Sequence, residues 1–277
     1  MTSQDSSSTF QDKELPNSLV SIIIPTKNSK ATLDLCLDSI QRQTYPDIEV
    51  IIVDSESKDH TRDIALRYGA TILLHSSKMA AARNYGAKFA KGGYFFHMDS
   101  DMKLSQRVVE KCVEALQKEA QAVVVPQIFE GEGFLGKCRA LEFSCLVDDN
   151  MLKSSRFMTK IAFESVGGYD DSLDAGEDWD ITQKIEAHYK IVYINHYLVH
   201  GWGKYNLLQT MKKSYQYGKT VRLYMTKYPQ HSRHQWGPMR IKQLNYTTLS
   251  HNVVHTIGLF VIKSLEFMAG WLGMVTA

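Results

Sequence analysis

The chain has few cysteines, and their positions predict neither a disulfide framework nor a zinc site. Four cysteines occur among 277 residues, and no two of them have the C-x-x-C spacing. Each stands in an otherwise apolar segment, at Cys36, Cys112, Cys138 and Cys145. This pattern predicts reduced cysteines in or near the core of a protein in a reducing compartment.

The first residues lack an apolar segment. Residues 1–18 are polar and rich in Ser, Asp and Gln. We therefore expect no secretory signal peptide there and predict a disordered tail over residues 1–18. Together with the cysteine pattern, this favours a cytoplasmic protein.

The last third of the chain is almost without acidic residues. Residues 201–277 contain ten Lys or Arg and a single Glu, Glu266, so their net charge is +9. The whole chain carries +2, so residues 1–200 carry −7. Such an asymmetry predicts that the C-terminal region meets an anionic partner.

Apolar runs and helical patterns alternate along residues 19–203. Runs at residues 19–24, 48–53 and 70–74 predict buried strands, with helices between them. Further along, the patterns predict a helix from Leu104 to Glu119, a loop at 131–133, a helix from Phe134 to about Val147 and a short strand at 156–158. The alternation predicts a doubly wound α/β sheet whose strand ends line one edge. The loop after the first strand has neither G-x-G-x-x-G nor G-x-x-x-x-G-K, which disfavours ordinary dinucleotide and P-loop binding.

An aromatic and apolar run starting at Tyr94 ends in two aspartates, Asp99 and Asp101. Residues two apart in an extended strand point to the same side, so both carboxylates could face one point. Two hard oxygen ligands there suit Mg²⁺ or Mn²⁺. A D-x-D pair alone is weak evidence for a metal site, because the same residues more often form a solvated turn. The neighbouring motifs have to decide between the two.

Six motifs occur in the order and spacing of a known family. They are the strand Val20–Pro25 with Thr26 and Asn28, the loop Asp54-x-x-Ser57-x-Asp59-x-Thr61, Ala82-Arg83-Asn84-x-Gly86, Asp99-x-Asp101, Gly167-Gly168-Tyr169-Asp170 and Glu177-Asp178. Over residues 18–203 the chain resembles the family 2 inverting glycosyltransferases. The resemblance implies a glycosyltransferase A fold, which is a Rossmann-like, mixed and mostly parallel sheet with flanking helices. It also implies a UDP- or GDP-linked sugar donor and a divalent cation, Mn²⁺ or Mg²⁺.

The resemblance assigns roles along the sheet edge. It implies that Asp54 contacts the base or ribose and that Asp101, helped by Asp99, holds the metal ion. His200 is a candidate third ligand, with a neutral core or loop histidine as the competing interpretation. The family often has glycine where this chain has Glu56, which puts the loop shape in doubt. Further nucleotide-sugar contacts are expected at Pro25, Thr26, Asn28, Lys78, Arg83 and Ser100.

Glu177 and Asp178 are the candidate catalytic pair. Asp178 matches the family's base, which takes a proton from an acceptor hydroxyl while the anomeric carbon is attacked from the opposite face. The competing interpretation is an acidic first helical turn, which the helix dipole favours. If the acceptor is a polyprenyl phosphate, the nucleophile is already ionised and Asp178 serves positioning. Trp179 is a candidate platform for the acceptor, and a core tryptophan is an equal alternative.

Residues 204–277 predict basic, amphipathic helices that associate with a membrane. Tyrosines interleave with basic residues over 204–245, which could alternatively bind nucleic acid or form a solvated face. Lys212-Lys213 could alternatively bind a donor or acceptor phosphate. Residues 253–277 are mostly apolar but contain Lys263 and Glu266, each costing roughly 2.5–3.5 kcal/mol at a bilayer centre. We therefore rank a helix in the membrane plane first, packing on the catalytic domain second and a true span third.

The leading hypothesis is a metal-dependent inverting hexosyltransferase. Residues 19–203 form its catalytic domain, and residues 204–277 hold it peripherally at the cytoplasmic face of an anionic membrane. Its acceptor is lipid-linked or a glycan, and nucleic acid is not a partner. One alternative is a nucleotidylyltransferase of related fold, which usually carries a glycine-rich basic loop after its first strand. The other is a non-catalytic basic module that binds membrane or nucleic acid, in which Asp101 would be dispensable.

Overall fold

A computed structural model describes residues 18–118, 120–145, 154–236 and 245–277. The predicted disordered tail lies outside the described residues except for Ser18. The end of the helix predicted to run from Phe134 to Val147 lies outside them as well.

The described residues form ten strands in two sheets. In chain order the strands are β1 (Val20–Thr26), β2 (Ile48–Asp54), β3 (Thr71–Leu74), β4 (Tyr94–His97), β5 (Met102–Leu104), β6 (Ala122–Val124), β7 (Gln127–Glu132), β8 (Ser155–Thr159), β9 (Ile191–Tyr193) and β10 (Leu198–Lys204). The larger sheet has the order β3-β2-β1-β4-β8-β6-β9. Only β8 runs antiparallel to its neighbours in this sheet, so the predicted mixed, mostly parallel sheet is confirmed.

Helices cover both faces of the larger sheet. The helices are α1 (Leu33–Gln41), α2 (Thr61–Arg67), α3 (Met79–Phe89), α4 (Val108–Lys118), α5 (Gly133–Ser144), α6 (Lys160–Ser165), α7 (Glu177–Glu186), α8 (Leu207–Lys227), α9 (Pro229–Trp236), α10 (Tyr246–Ser250) and α11 (Val253–Val275). One apolar core joins the sheet to α1, α2 and α4, and a second joins it to α3, α6 and α7. This double cover explains why the strand sequences are continuous apolar runs.

The first strand extends further than the sequence predicted. A strand that stops before Pro25 was expected, but β1 continues to Thr26, which pairs with Asp54 at the end of β2. On the other side, the pairing of β1 with β4 ends at Ile23 and His97. Pro25 follows that point and directs its nitrogen towards the β4 side, so its missing N–H removes no ladder hydrogen bond.

The smaller sheet, with the order β5-β10-β7, was missed by the sequence analysis. A helix starting at Leu104 and a loop around residues 131–133 were expected there. Instead β5 precedes α4, which starts at Val108, and β7 ends at Glu132. The strand β5 has three residues, which is too short for a periodic signal, and its pairing with β10 joins segments that are distant in the chain.

The last helix packs tightly on α8 and α5. A Cβ on Gly218 of α8 would lie 2.0 Å from the carbonyl oxygen of Gly270 of α11, so the two helices meet backbone to backbone. A third apolar core joins α11 to α5 and α10. The C-terminal region is therefore attached to the sheet domain through packed helices.

Candidate active site

Asp54 joins the loops that follow β1 and β2. Its side chain is fully buried, at 0% exposure. Oδ2 accepts hydrogen bonds from Thr26 Oγ1 (3.0 Å) and Ser57 Oγ (2.5 Å), and Oδ1 accepts one from the Ser57 backbone N–H (3.0 Å). The carboxylate therefore faces the protein and shapes the two loops. Its contact with a base or ribose stays a prediction.

These two loops contain left-handed residues. Asn28 has φ +53°, a conformation that asparagine tolerates, and its N–H donates to Ser57 Oγ at 2.8 Å. Glu56, which stands where the family often has glycine, has φ +55°. The left-handed region costs a residue with a Cβ roughly 1–2 kcal/mol. The loop thus adopts a left-handed conformation at this position without a glycine.

The two aspartates after β4 face a histidine on β10. One ligand atom from each of Asp99, Asp101 and His200 lies within 4.8 Å of the others. Nε2 of His200 is 3.1 Å from Asp101 Oδ1, and its Nδ1 is 3.4 Å from Gln127 Oε1. The pairing of β10 with β5, directly after Asp101, sets His200 opposite Met102. The smaller sheet therefore brings the candidate third ligand to the D-x-D pair.

Two buried arginines connect Asp99 to the Glu177-Asp178 pair. Arg83 of α3 is 1% exposed, and its Nη2 lies 2.7 Å from Asp99 Oδ1. Its Nη1 lies 2.7 Å from Asp178 Oδ1 and 3.2 Å from Glu177 Oε1. Arg156 of β8 lies 2.5 Å from Asp178 Oδ2 and 3.3 Å from Asp99 Oδ2. Asp99 and Asp178 therefore each have both carboxylate oxygens beside a guanidinium, whereas Asp101 is open to solvent on one side.

The cluster gives its carboxyl groups opposite proton affinities. Burial alone would raise the pKa of Asp99, but Arg156 and Arg83 lower it well below its usual range. Burial, together with the charge of Asp178, raises the pKa of Glu177 to about 7 against the opposing effect of Arg83. One carboxylate of the cluster is thus held ionised, while another exchanges its proton near neutral pH.

The loop before α7 holds Arg83 in place. The guanidinium carbon of Arg83 lies 5.1 Å from the ring centroid of Tyr169. Asn84 Nδ2 donates to the Tyr169 carbonyl (2.8 Å), and Asn84 Oδ1 accepts from the Tyr169 N–H (2.9 Å). Gly167 and Gly168 form this turn with φ of +75° and +69°. A Cβ on Gly168 would meet Asn84 Oδ1 at 2.7 Å, so two of the sequence motifs are in direct contact.

Two of the predicted donor contacts lie away from the arginine cluster. Lys78 is 59% exposed and pairs with Asp174 at 2.8 Å. Ser100 donates from its hydroxyl to Ser29 Oγ at 2.9 Å and so connects the D-x-D turn to the loop after β1. Both are at the rim of the site, and their contact with a donor stays a prediction.

The remaining predicted residues border the site from two directions. Pro25 and Thr26 end β1 beside Asp54 and are buried. Trp179 is half-buried on α7, and its ring centroid lies 6.0 Å from that of Tyr224 on α8. Trp179 therefore supports the α7–α8 contact, and its role as an acceptor platform stays a prediction.

Arg156 is a site residue that the sequence analysis missed. Its segment was predicted only as a short strand. Buried arginines are rare unless they are paired, so an arginine inside an apolar strand is the signal that could have found it. The acids that it pairs with lie far away in the chain, and the sequence offered no means of connecting them.

The fold is similar to that of solved glycosyltransferases. A mannosyltransferase from Pyrobaculum calidifontis, solved with GDP-Man and Mn²⁺, superposes with a TM-score of 0.63 at 16% identity, covering 94% of this chain and 89% of the other. TarS residues 1–349 from S. aureus, solved with UDP-GlcNAc, gives 0.55 at 14% identity, covering 93% and 91%. The expected glycosyltransferase A fold is confirmed.

Sequence relatives agree with this fold. An uncharacterized glycosyltransferase of Rickettsia typhi is 28% identical in an alignment of length 198 that covers 64% of this chain and 61% of that protein. A putative teichuronic acid biosynthesis glycosyltransferase, TuaG of Bacillus subtilis, is 34% identical in an alignment of length 111 that covers 38% of this chain and 44% of the other. The chain thus spans less than two thirds of the length of these relatives.

A family comparison covers more than half of the sequence. The match is to the description "Glycosyl transferase family 2" and spans residues 21–166 of 277. It includes the D-x-D pair, both arginines of the cluster and the loops after β1 and β2. The chain belongs to glycosyl transferase family 2.

Proposed function

We propose that this protein transfers a hexose from a UDP- or GDP-linked sugar to a lipid-linked or glycan acceptor, with inversion at the anomeric carbon. One observation carries the proposal: the candidate metal ligands lie next to the candidate catalytic pair. Asp99 belongs to the cluster with Asp101 and His200, and Arg83 contacts both Asp99 and Asp178. The nucleotide sugars bound by the two solved neighbours, GDP-Man and UDP-GlcNAc, support a donor of this class.

The D-x-D edge fits a divalent cation. Two carboxylates suit Mg²⁺ or Mn²⁺, and an imidazole nitrogen shifts the preference towards a transition metal, so Mn²⁺ fits the set best. Asp101 and His200 would hold the ion, because both oxygens of Asp99 already face arginines. The Gln127 oxygen near His200 Nδ1 favours the tautomer that leaves Nε2 free to bind. When bound, the cation supplies positive charge that stabilises the departing nucleoside diphosphate.

Asp178 is the proposed base, and Glu177 sets its electrostatic surroundings. Asp178 occupies the motif position of the base, but both of its oxygens face guanidinium groups. In the proposed reaction it takes the proton of an acceptor hydroxyl. Glu177, whose pKa is raised to about 7, adds a negative charge beside Asp178 when it ionises.

The proposed membrane contact is supported by one face of α11. Large apolar side chains are exposed on one side of this helix, since at 3.6 residues per turn their positions fall within less than half of its circumference. They are Val253, Val254, Ile257, Phe260, Val261, Phe267, Met268, Trp271, Leu272 and Val275. Among the described helices, α11 is also long and apolar enough to cross a bilayer. An exposed apolar face of this length indicates an interaction surface.

The two charges of α11 point away from this face. Glu266 is buried and accepts a hydrogen bond from Tyr205 Oη at 3.0 Å. Both charges pair with residues of α5. Lys263 Nζ lies 3.2 Å from Glu142 Oε1, and Glu266 Oε2 lies 3.4 Å from Arg139 Nη1. These ion pairs favour an arrangement in which one face of α11 packs on the sheet domain. The opposite face would then insert into the surface of a membrane. The charge of +9 over residues 201–277 favours an anionic membrane, at its cytoplasmic face.

Vesicle flotation at low salt tests the membrane contact. The protein is expected to bind vesicles rich in phosphatidylserine, and Phe267→Ser is expected to weaken binding roughly tenfold by removing one inserted side chain. Phe89→Ser, at a half-exposed phenylalanine of α3, is the matched control and should bind like the wild type. Equal binding by the two variants would contradict the assignment of this face.

A donor screen tests the transfer reaction. The protein is incubated with Mn²⁺, membrane lipid extract and a series of UDP- and GDP-sugars, and release of nucleoside diphosphate is measured. We expect one donor to be consumed, and Asp101→Asn to remove the activity. Asp63→Asn, at an exposed aspartate paired with His60, is the control for the same chemical change. If no donor is consumed, or if both variants are as active as the wild type, the proposed function is wrong.

A further inference from the structure

We propose that Lys213 of α8, supported by Tyr217, is a phosphate-binding cation of the active site. The inference rests on the proposed function and deepens it, because it names a residue outside the matched family region that would hold a phosphate group of the reactants. It is carried by the packing of α8 on the site, by the surroundings of Lys213 and by the charge of the cluster.

Contacts with α7 and its preceding loop fix α8 beside the catalytic pair. The backbone N–H of Asp174 donates to Thr220 Oγ1 at 3.2 Å. Gln183 donates from its amide to Tyr224 Oη at 2.5 Å, and a Cβ on Gly176 would meet the Tyr224 ring at 2.9 Å. The face of α8 that carries Thr220 and Tyr224 therefore lies against the start of the helix that begins with Glu177.

Lys213 and Tyr217 continue this face towards the D-x-D pair. Residues four apart on a helix are neighbours, so Lys213, Tyr217 and Thr220 follow one another along one side of α8. The Lys213 ammonium lies 5.4 Å from the Tyr217 ring centroid. Burial lowers the pKa of Lys213, but Tyr217 and the carboxylates of Asp99 and Asp101 raise it above its ordinary value. Lys213 is therefore protonated, and it lies in the first two turns of the helix that directly follows β10, the strand that carries His200.

The charge of the site leaves a need for one more cation. The carboxylates of Asp99, Asp101 and Asp178 meet two guanidinium groups, so the cluster carries one excess negative charge, and two when Glu177 is ionised. A divalent cation offsets these charges, and a diphosphate then brings about two more. The ammonium group of Lys213, which is an exposed residue, can offset part of them.

A phosphate ligand of Lys213 could come from the donor or from a phosphorylated acceptor. In both cases the chemistry is an ammonium group that donates to phosphate oxygens. The contribution of the donor's diphosphate is tested by measuring the binding of UDP or GDP in the presence of Mn²⁺. The acceptor's phosphate is tested by the KM for a polyprenyl phosphate at saturating donor.

The test compares Lys213→Ala with Lys219→Ala. Lys219 is exposed on the same helix and stacks on a tyrosine four residues away, Tyr215, at 4.8 Å, which makes it a matched control. Calorimetric titration with UDP and GDP in Mn²⁺ should give a dissociation constant roughly 10- to 100-fold higher for Lys213→Ala, the range for a charged hydrogen bond. Lys219→Ala should stay within about twofold of the wild type, and Lys213→Arg should regain most of the affinity.

Each outcome decides the matter. Weaker nucleoside diphosphate binding by Lys213→Ala alone supports the donor as the source, and a raised KM for the phosphorylated acceptor alone supports the acceptor. If Lys213→Ala and Lys219→Ala behave alike in both measurements, the inference is wrong although the proposed function stands. If the wild type binds neither nucleotide and transfers no sugar, the proposed function fails and the inference fails with it.

Discussion

Replacing Arg83 with leucine should destabilise the folded protein strongly. Arg83 is 1% exposed and lies 2.7 Å from Asp99, 2.7 Å from Asp178 and 3.2 Å from Glu177. Without Arg83, the guanidinium of Arg156 is the remaining cation of the cluster beside these three largely buried carboxyl groups. Breaking a buried ion pair by removing one partner costs roughly 3–5 kcal/mol, because the remaining charge is desolvated without compensation. A loss of this size corresponds to a fall in Tm of roughly 6–20 °C for a chain of this size.

The loss should depend on pH in a defined direction. Arg83 lowers the pKa values of Asp99 and Glu177, so without it both groups hold their protons more tightly. In the wild type, Asp99 contributes stability above its unfolded pKa and loses it as the pH falls through the folded value. The variant gains more from protonation than the wild type does. The difference in free energy of unfolding should therefore be smaller at pH 5.5 than at pH 8.

Urea unfolding followed by circular dichroism measures both quantities. Arg42→Leu is the control, since Arg42 is 74% exposed and makes a surface pair with Asp38 at 3.0 Å. Such a helical surface pair contributes roughly 0.3–0.5 kcal/mol. A loss below about 1 kcal/mol for Arg83→Leu, or a loss that is the same at both pH values, would refute the shared-charge account of the cluster.

Four further predictions concern single residues. Asp178→Asn should lower kcat roughly 10²–10⁴-fold if the acceptor is a hydroxyl and much less if it is a phosphate. Glu177→Gln should abolish an acidic limb of the pH profile of kcat/KM whose apparent pKa lies at or below about 7. An unchanged limb would contradict the role of Glu177. Glu56→Gly should raise the free energy of unfolding by up to about 1 kcal/mol, because it relieves the left-handed φ of +55°; a clear loss of stability would show that the Glu56 side chain is needed. His97→Leu should cost less than about 1 kcal/mol, because His97 is fully buried and neither ring nitrogen has a partner in the described part of the chain; a loss above 3 kcal/mol would indicate an unrecognised partner.

The part of the site formed by local patterns could be predicted from the sequence. Asp54 and Asp99 each end an apolar run, and the ends of neighbouring parallel strands meet at one edge of a sheet. Strands β1, β2 and β4 pair in parallel, as expected. The strand periodicity therefore carried enough information to place the D-x-D pair on the correct edge.

Residues brought together by distant pairing could not be predicted in the same way. His200 reaches Asp101 because β10 pairs with the three-residue strand β5, for which the sequence has no periodic signal. Arg156 reaches Asp99 because β8 enters the sheet antiparallel beside β4. Both contacts depend on which strands become neighbours, and single-chain patterns do not specify this.

The charges of the last helix show a different limit of sequence reasoning. Lys263 and Glu266 counted as a penalty against membrane insertion when the helix was considered alone. In the structure they pair with Arg139 and Glu142 of α5, so they face the protein. A helical pattern shows which residues share a face, but it does not show which face meets another helix. The burial of Glu266 supplies that information.

The most direct test of the central claim is Mn²⁺ binding in the presence of UDP or GDP. Calorimetric titration of the full chain should show Mn²⁺-dependent nucleotide binding. Asp101→Asn should weaken Mn²⁺ affinity at least tenfold, since it removes the charged member of the proposed ligand pair Asp101 and His200. The exposed-site control Asp63→Asn should bind like the wild type. The claim of a metal-dependent nucleotide site would be contradicted by equal Mn²⁺ affinity in the wild type and in Asp101→Asn. Nucleotide binding of the same affinity with and without Mn²⁺ would contradict it as well.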